Sequence, residues 1–281
     1  MAIRNGQLWV WGWNSTGQLG LGDNTNRHTP SHLTGFSDWS LISAGSQHSL
    51  AIRSGQLFSW GHNSFGELGI GDNTNRNTPR QVSGVNWSSI SAGGHHSLAI
   101  LNGQIWTWGA NHEGQLGTGD FVHLNTPRRM TGHSDWTHVS AGTAHSISIR
   151  VGELWAWGRN SEGQLGLGDF GMRSSPSRVF GSSNWSHISA GWLHSTGIHG
   201  GQLFSWGENA AGQLGIGSTV GQNSPARVGS HSDWSFSLSG GARHSFGIRG
   251  GLLFSWGNNY DGQLGLSNPS QPFLPTLVTI P

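Results

Sequence analysis

Five histidine-serine dipeptides are the residues of this chain whose types and spacing come nearest to catalytic chemistry. Each histidine stands three residues after a glycine, and the five are His48, His96, His145, His194 and His244. A hydrolase triad needs one serine, one histidine and one acid at a single place. Neighbouring residues of a strand face opposite ways, and these pairs recur once in each of the five repeats after the first. We therefore expect five structural imidazoles, each bridging backbone groups near a hairpin turn, and no catalytic residue.

Three other patterns suggest ion or phosphate binding but lack the necessary groups. The segment DNTNR, at 23–27 and 72–76, offers one carboxylate and no bidentate glutamate for calcium. His95 and His96 are consecutive, so in a strand they point to opposite faces and cannot hold one zinc ion together. The glycines of GQLGLG are not followed by the Lys-Ser/Thr pair of a phosphate-binding loop. We therefore expect no bound metal ion and no cofactor.

The elements that position these residues are set by an internal repeat. A Trp-Gly pair recurs in steps of 48 to 50 residues, with its glycine at Gly12, Gly61, Gly109, Gly158, Gly207 and Gly257. Around it stands a version of the pattern G-x-L-[WF]-x-W-G-x-N-x-x-G-[QE]-L-G. A fixed spacing of this length is typical of propellers and solenoids. The predicted units are about 1–37, 38–85, 86–134, 135–183, 184–232 and 233–281.

Each unit is predicted to form four short antiparallel strands. In HSLAIR, residues His48, Leu50 and Ile52 point one way while the alternate residues point the other. Ala-Gly, Ser-Gly and Thr-Pro turn signals separate such segments. A four-stranded unit repeated without a long insertion favours blades around an axis over a sandwich. The sequence therefore predicts one all-β domain over 1–281, a six-bladed β-propeller of four-stranded antiparallel blades.

The two ends of the chain predict an incomplete first blade. Residues 2–4 match residues 51–53, so the first blade begins at its second strand and 23 strands are expected where six full blades would have 24. The segment PTLV, at 275–278, aligns with the outer strand of the sixth blade. Either 276–280 moves inward to complete the first blade at the N/C-terminal closure and leaves the sixth blade short, or the first blade stays short and the gap stays open for a neighbouring chain to fill.

Most tryptophans are predicted to be packing residues of the blades. One series precedes the repeated glycine: Trp11, Trp60, Trp108, Trp157, Trp206 and Trp256. A second series opens the inner strand: Trp39, Trp87, Trp136, Trp185 and Trp234. A third position alternates between tryptophan and phenylalanine, as expected for an interchangeable packing slot. Only Trp13 and Trp192 then fall outside the repeated positions.

Composition and charge restrict the classes of partner. The chain has 14 arginines, no lysine, 13 acidic residues and no cysteine, with a net charge of +1. Such a balance gives no field that draws in nucleic acid or an anionic membrane. The start enters the repeat at once, which leaves no room for a signal peptide, and no apolar run is long enough to span a membrane. We expect a soluble protein, cytoplasmic or part of a virion.

The combined motif resembles a known repeat family. AGxxHSLAI, then GQLFSWGxNxxGQLGLG and then TP, is similar to the regulator-of-chromosome-condensation (RCC1-like) repeat over nearly the whole chain. The resemblance implies a β-propeller, although the best-known members have seven blades. It also implies functions that include guanine-nucleotide exchange, chromatin binding, ultraviolet-B reception and β-lactamase inhibition. The uniform spacing leaves no inserted exchange wedge, and Trp192 and Arg243 are too isolated for a photoreceptor cluster.

One end of the predicted propeller collects the residues that differ between repeats. Antiparallel order places the AGxxHS turns and the WGxN loops together, and loops on a rigid scaffold often carry function. The predicted partner-binding residues there are Trp13, Gln47, His62, His95, Arg159, Trp192, Glu208, Arg243 and Asn258. We expect a non-enzymatic scaffold that binds a protein partner. The alternatives are a structural or decoration component of a larger assembly such as a virus particle, and a lectin that binds a glycan. Guanine-nucleotide exchange is the least favoured.

Overall fold

A computed structural model describes residues 1–179, 181, 183–266 and 271–279 of the chain, leaving the side chain of residue 236 undescribed, and these residues form an all-β structure with no helix. The strands assemble into six separate antiparallel sheets, which are the six predicted blades, numbered here in chain order. Blade 1 has three strands: β1 (Ala2–Arg4), β2 (Gln7–Gly12) and β3 (Arg27–His32). The six-bladed, all-β prediction is therefore confirmed, and no helix in the described part is long and apolar enough to cross a membrane.

Blades 2 to 6 have four strands each. Blade 2 contains β4 (Trp39–Ala44), β5 (His48–Arg53), β6 (Gln56–Gly61) and β7 (Arg76–Val85), and blade 3 contains β8 (Trp87–Ala92), β9 (His96–Leu101), β10 (Gln104–Gly109) and β11 (Leu124–Arg129). Blade 4 contains β12 (Trp136–Ala141), β13 (His145–Arg150), β14 (Glu153–Gly158) and β15 (Arg173–Arg178), and blade 5 contains β16 (Trp185–Ala190), β17 (His194–His199), β18 (Gln202–Gly207) and β19 (Gln222–Arg227). Blade 6 contains β20 (Trp234–Gly240), β21 (His244–Arg249), β22 (Leu252–Gly257) and β23 (Thr276–Leu277).

The register within each blade is fixed by a tight hairpin between its second and third strands. In blade 2, Ser54 and Gly55 both have positive φ, at 46° and 73°, which is the type I′ geometry that matches strand twist. The resulting pairing sets His48 opposite Gly61 and Ser49 opposite Trp60. The loops at the far end of the hairpin therefore lie beside each other in every complete blade.

The hydrophobic core lies between blades. One cluster joins Leu8 and Val10 of blade 1 to Trp39, Phe58 and Trp60 of blade 2, and similar clusters follow around the structure. Five tryptophans of the first series, Trp60, Trp108, Trp157, Trp206 and Trp256, are 0% exposed. Each lies against the preceding blade, so the repeat stabilises the fold by burying aromatic area at each junction.

The inner strands of blades 2 to 6 surround a central cavity of about 200 Å³. Its wall is made mostly of alanine, glycine and other small residues from the ends of β4, β8, β12, β16 and β20 and the turns that follow them. Small side chains let the inner strands approach one another around the axis. The cavity opens among the AGxxHS turns, and Trp192 contributes to its lining.

Among the described residues, blades 1 and 6 do not make to each other the hydrogen bonds that join the other blades. The segment Thr276–Leu277 pairs with β22, so the C-terminal strand is the outer strand of blade 6 and blade 1 stays at three strands. The described residues form 23 strands, as predicted. Trp11 is 40% exposed, unlike its equivalents, because no blade covers it in the part of the chain that the structure describes. A Cβ built on Gly114 would meet the next blade at 2.7 Å, whereas one on Gly262 in blade 6 would meet nothing within 4 Å.

Candidate functional site: the loop face

The candidate site is the end of the propeller formed by the AGxxHS turns and the WGxN loops, which we call the loop face. A repeated backbone bond holds the two segments together: the amide of His62 donates to the carbonyl of Gln47 at 2.9 Å. The same bond recurs in the next four blades, from Ala110, Arg159, Glu208 and Asn258 to His95, Ala144, Leu193 and Arg243 respectively. The two variable positions of each complete blade are thus adjacent, whatever side chains they carry.

The nine predicted partner-binding residues all lie in these turns and loops, eight of them at the two variable positions and Trp192 one residue before Leu193, with different exposure. Trp13, Trp192 and the side chain of Arg243 are 53%, 52% and 54% exposed. The other six are half-buried: Gln47, His62, His95, Arg159, Glu208 and Asn258. Among the described ring pairs none joins Trp13 to Trp192, so the two exposed tryptophans do not form one aromatic patch.

The junction of blades 5 and 6 brings two of these residues together. Arg243 lies 3.6 Å from Glu208 of the preceding blade. Glu208 also accepts a hydrogen bond from Gln213 Nε2 at 3.2 Å. Since the Arg243 side chain is half exposed, water screens this ion pair and it contributes little to stability. The pair leaves most of the Arg243 guanidinium available on the loop face.

The junction of blades 2 and 3 brings together three ionisable residues. His62 Nδ1 forms a short contact with Glu67 Oε1, and His95 Nδ1 lies 3.3 Å from the same oxygen. Phe65 N donates to Glu67 Oε2 at 2.9 Å. Burial by itself raises the pKa of Glu67, but hydrogen bonds from His95 and His62, with the nearby His48, outweigh it and lower the pKa to about 2. The carboxylate is therefore ionised.

Glu67 is a residue that the sequence reasoning missed. The other five repeats have glutamine at this position, and the pattern [QE] carried the signal. Those glutamines perform the same structural task, as when Gln115 Oε1 accepts from Glu113 N at 2.9 Å. The negative charge of Glu67 is therefore not required by the blade. Its position beside His62 and His95 was not visible because the three residues meet across a blade junction.

A second missed feature is an apolar rim on blades 3 to 5. The loops that lead into β11, β15 and β19 expose Phe121, Val122, Phe170, Met172 and Val220, which are 51% to 66% exposed. The same loops of blades 1 and 2 carry asparagine and threonine. Phe170 and Met172 border a cavity of about 200 Å³ that also contacts Arg159. Exposed apolar groups beside polar ones are typical of a protein-binding surface.

In the loops of blades 1 and 2, the DNTNR segment forms hydrogen bonds that fold the loop. Asp23 accepts from Thr25 N at 2.9 Å and pairs with Arg27 at 2.5 Å. The backbone bond from Thr25 and the Arg27 contact lower the pKa of Asp23. Asn14 Nδ2 donates to the carbonyl of Asp23 at 3.0 Å, and Asn26 Oδ1 accepts from Asn14 N. These oxygens are engaged in folding the loop.

Beneath the loop face, histidines and serines of successive blades form a buried belt. His48 Nε2 lies 2.9 Å from Ser97 Oγ of the next blade, and Ser97 donates to the carbonyl of Glu67 at 2.8 Å. Because a carbonyl oxygen only accepts, the hydrogen between His48 and Ser97 comes from Nε2. The belt continues through the pairs His96–Ser146, His145–Ser195 and His194–Ser245. The expected backbone partners of these imidazoles are replaced by a serine of the neighbouring blade.

The histidines and serines of the belt have a structural role. Burial lowers the pKa of His48 to about 4 and those of His96, His145 and His194 to about 3, so the four rings are neutral. Each serine is buried and gives its proton to a carbonyl, which leaves no free hydroxyl for attack. Burial also lowers the pKa of His244, whose ring meets no following blade among the described residues.

The comparisons with known proteins agree with this architecture. A family model described as the regulator of chromosome condensation (RCC1) repeat matches residues 5–52, 54–100, 102–149, 151–198, 200–248 and 250–281. A second model of the same repeat matches residues 39–67. No curated protein sequence matches the chain.

Several solved structures share the fold. Human WBSCR16 is 22% identical over 97% of this chain and 76% of its own, with a TM-score of 0.86. Yeast RCC1 (Prp20), in its structure with bound Kap60, is 22% identical over 96% of this chain and 71% of its own, with a TM-score of 0.84. Prp20p from Saccharomyces cerevisiae, described with its binding properties to Gsp1p and histones, is 20% identical over 100% and 87%, with a TM-score of 0.71. At this identity the likeness shows the fold.

Proposed function

Since the chain belongs to the RCC1-repeat family of β-propellers, we propose that it is a non-enzymatic scaffold that binds a protein partner through the loop face. The observation that carries the proposal is the contrast between the constant belt and the varied residues held above it on identical backbone positions. A rigid framework with variable loops is suited to recognition. Yeast RCC1 (Prp20), with the same fold, is found bound to a protein, Kap60.

The chemistry of the face supports a protein partner of mixed character. The exposed Trp192 and the rim residue Phe170 supply large apolar area, and Arg243 supplies a half-exposed cation. Tryptophan and arginine are the residue types most enriched in binding hot spots. The belt supports the non-enzymatic part, because its serines and histidines are buried and bonded to each other.

The test compares two triple variants in affinity capture from an extract of the native source. Replacing Trp13, Trp192 and Arg243 with alanine removes the exposed groups of the loop face. The matched control, Val85→Ser with Val151→Asn and Leu252→Ser, removes exposed apolar groups at the opposite end, where asparagine suits the positive φ of Val151. We expect the first variant to lose the partners that wild type and control retain.

The proposal is overturned if the loop-face variant, with an unchanged unfolding curve, captures the same proteins in the same amounts as wild type. Loss of capture in the control alone would move the binding surface to the hairpin end. A glycan array on the same two variants separates the lectin alternative, since sugar stacking on Trp13 would be lost only in the first variant.

A further inference from the structure

Three potential metal ligands converge at one blade junction of the loop face. His62 and Glu67 come from the loop between β6 and β7, and His95 comes from the turn between β8 and β9. Their ligand atoms all lie within 4.8 Å of one another. The Glu67 side chain is 0% exposed, while His62 and His95 are 17% and 36% exposed. We propose that His62, Glu67 and His95 form a binding site for a divalent transition-metal ion, with zinc as the best fit.

The ligand atoms lie near the spacing of a tetrahedral site, since all are within 4.8 Å of one another. Zinc binds imidazole nitrogen and carboxylate oxygen at about 2.0–2.2 Å, which separates neighbouring ligand atoms by about 3.3 Å. His95 Nδ1 is already 3.3 Å from Glu67 Oε1. The partial exposure of both imidazoles leaves them room for the small rotation that would close the set around an ion.

The surroundings hold the ligands in the necessary orientation. Ser64 Oγ lies 3.0 Å from His62 Nε2, so the hydroxyl fixes the far side of the ring and leaves Nδ1 facing Glu67. The Phe65 amide holds Glu67 Oε2, and the Phe65 ring lies 5.3 Å from the His95 ring. Hydrogen bonds of this kind to the outer atoms of ligands are the usual support of a metal site.

The other junctions provide an internal comparison. The three equivalent positions hold Trp13, Gln18 and Gln47 at the first junction, and Ala110, Gln115 and Ala144 at the third. They hold Arg159, Gln164 and Leu193 at the fourth, and Glu208, Gln213 and Arg243 at the fifth. Only at the second junction do all three positions hold side chains that commonly bind metal ions. In the other repeats a glutamine accepts the equivalent backbone hydrogen bond, so the fold of the loop does not require the carboxylate of Glu67.

The ligand set selects the class of ion. Two imidazole nitrogens and one carboxylate suit zinc and its first-row neighbours, whereas calcium and magnesium prefer an all-oxygen shell. One carboxylate and two neutral imidazoles leave the occupied site with a charge of about +1 and one open coordination position. That position faces the loop face, where water or a donor from a bound molecule would fill it. The site needs no protein partner, so it stands apart from the proposed scaffold function.

Isothermal titration of the chelator-treated protein with zinc chloride tests the site directly. We expect saturable zinc binding to the wild-type protein. In Glu67→Gln the dissociation constant of one site should rise by about 100-fold or more. Glutamine occurs at this position in the other five repeats, so the variant retains the structural bond. His95→Gln, which copies Gln47 of the preceding blade, should lose the same site. Cobalt bound in place of zinc should give the visible absorption of a tetrahedral complex in wild type alone.

The matched control moves the carboxylate by one blade. The double variant Glu67→Gln with Gln115→Glu keeps the composition and net charge but places the acid between Ala110 and Ala144. We expect it to bind zinc no better than Glu67→Gln, while His112→Ala, which changes a nearby histidine outside the set, binds like wild type. Zinc affinity that is absent in wild type, or unchanged by both Glu67→Gln and His95→Gln, overturns the proposal.

Discussion

The junction between blades 3 and 4 and the free side of blade 1 carry the same framework residue in different surroundings. Trp157 is 0% exposed and donates from Nε1 to the carbonyl of Gln115 at 2.9 Å. Trp11, at the same place in its repeat, is 40% exposed because no described residue of another blade covers it as blade 3 covers Trp157. The framework tryptophans therefore stabilise the contacts between blades, and they contribute little within a single blade.

The largest expected effect comes from the tryptophan of a complete junction. Trp157→Ala should lower the free energy of unfolding by about 4 kcal/mol, because it leaves a large cavity and removes one of the two hydrogen bonds that the Gln115 carbonyl accepts. Trp11→Ala should cost less than about 1 kcal/mol, since its side chain is already partly in water. Urea denaturation of both variants measures the difference. Equal losses would show that Trp11 is covered in solution and that the comparison fails.

Burial of the belt histidines predicts a loss of stability in acid. The pKa of His145 is about 3 in the folded protein and about 6.5 when unfolded, so the unfolded chain binds the proton more strongly. The contribution is complete above pH 6.5 and declines as the pH falls towards 3. At pH 5 this one histidine should lower the free energy of unfolding by about 2 kcal/mol.

The variant His145→Gln isolates that contribution. Its unfolding free energy should change less between pH 7 and pH 5 than that of wild type, by about 2 kcal/mol. The solvent-exposed His231→Gln serves as control and should keep the wild-type pH dependence. His244→Gln, at the open end of the belt, should fall between the two because His244 is only partly buried. Identical pH curves for His145→Gln and wild type would contradict a neutral buried ring.

The repeat pattern predicted the six blades and the 23 strands, because both follow from periodicity along the chain. It left open whether the last strand would complete blade 1 or pair within blade 6, and the structure shows that it pairs with β22. Contacts between residues of neighbouring blades could not be predicted from the sequence in the same way. Ser97 meets His48 of the preceding blade rather than its own neighbour His96, and this depends on how far adjacent blades are staggered. The same stagger brings Glu67 to His95, which lie 28 positions apart and in different repeats.

The smallest effect is expected from two serines that differ only in the number of their partners. Ser146 donates to the carbonyl of Gln115 and accepts from His96 Nε2. Ser49 donates to the carbonyl of Gln18, but no histidine of blade 1 donates a hydrogen bond to it. Ser146→Ala leaves a buried imidazole N–H unpaired and should cost about 2 kcal/mol. Ser49→Ala should cost about 1 kcal/mol.

Urea denaturation at pH 7.5, where the belt is neutral, measures both serine variants under the same conditions. A double variant with His96→Phe separates the two contributions, since an apolar ring of similar size removes the donor that Ser146→Ala leaves unpaired. In that background the cost of Ser146→Ala should fall to that of Ser49→Ala. If it stays about 1 kcal/mol larger, the histidine is not the source of the difference between a complete junction and the first one.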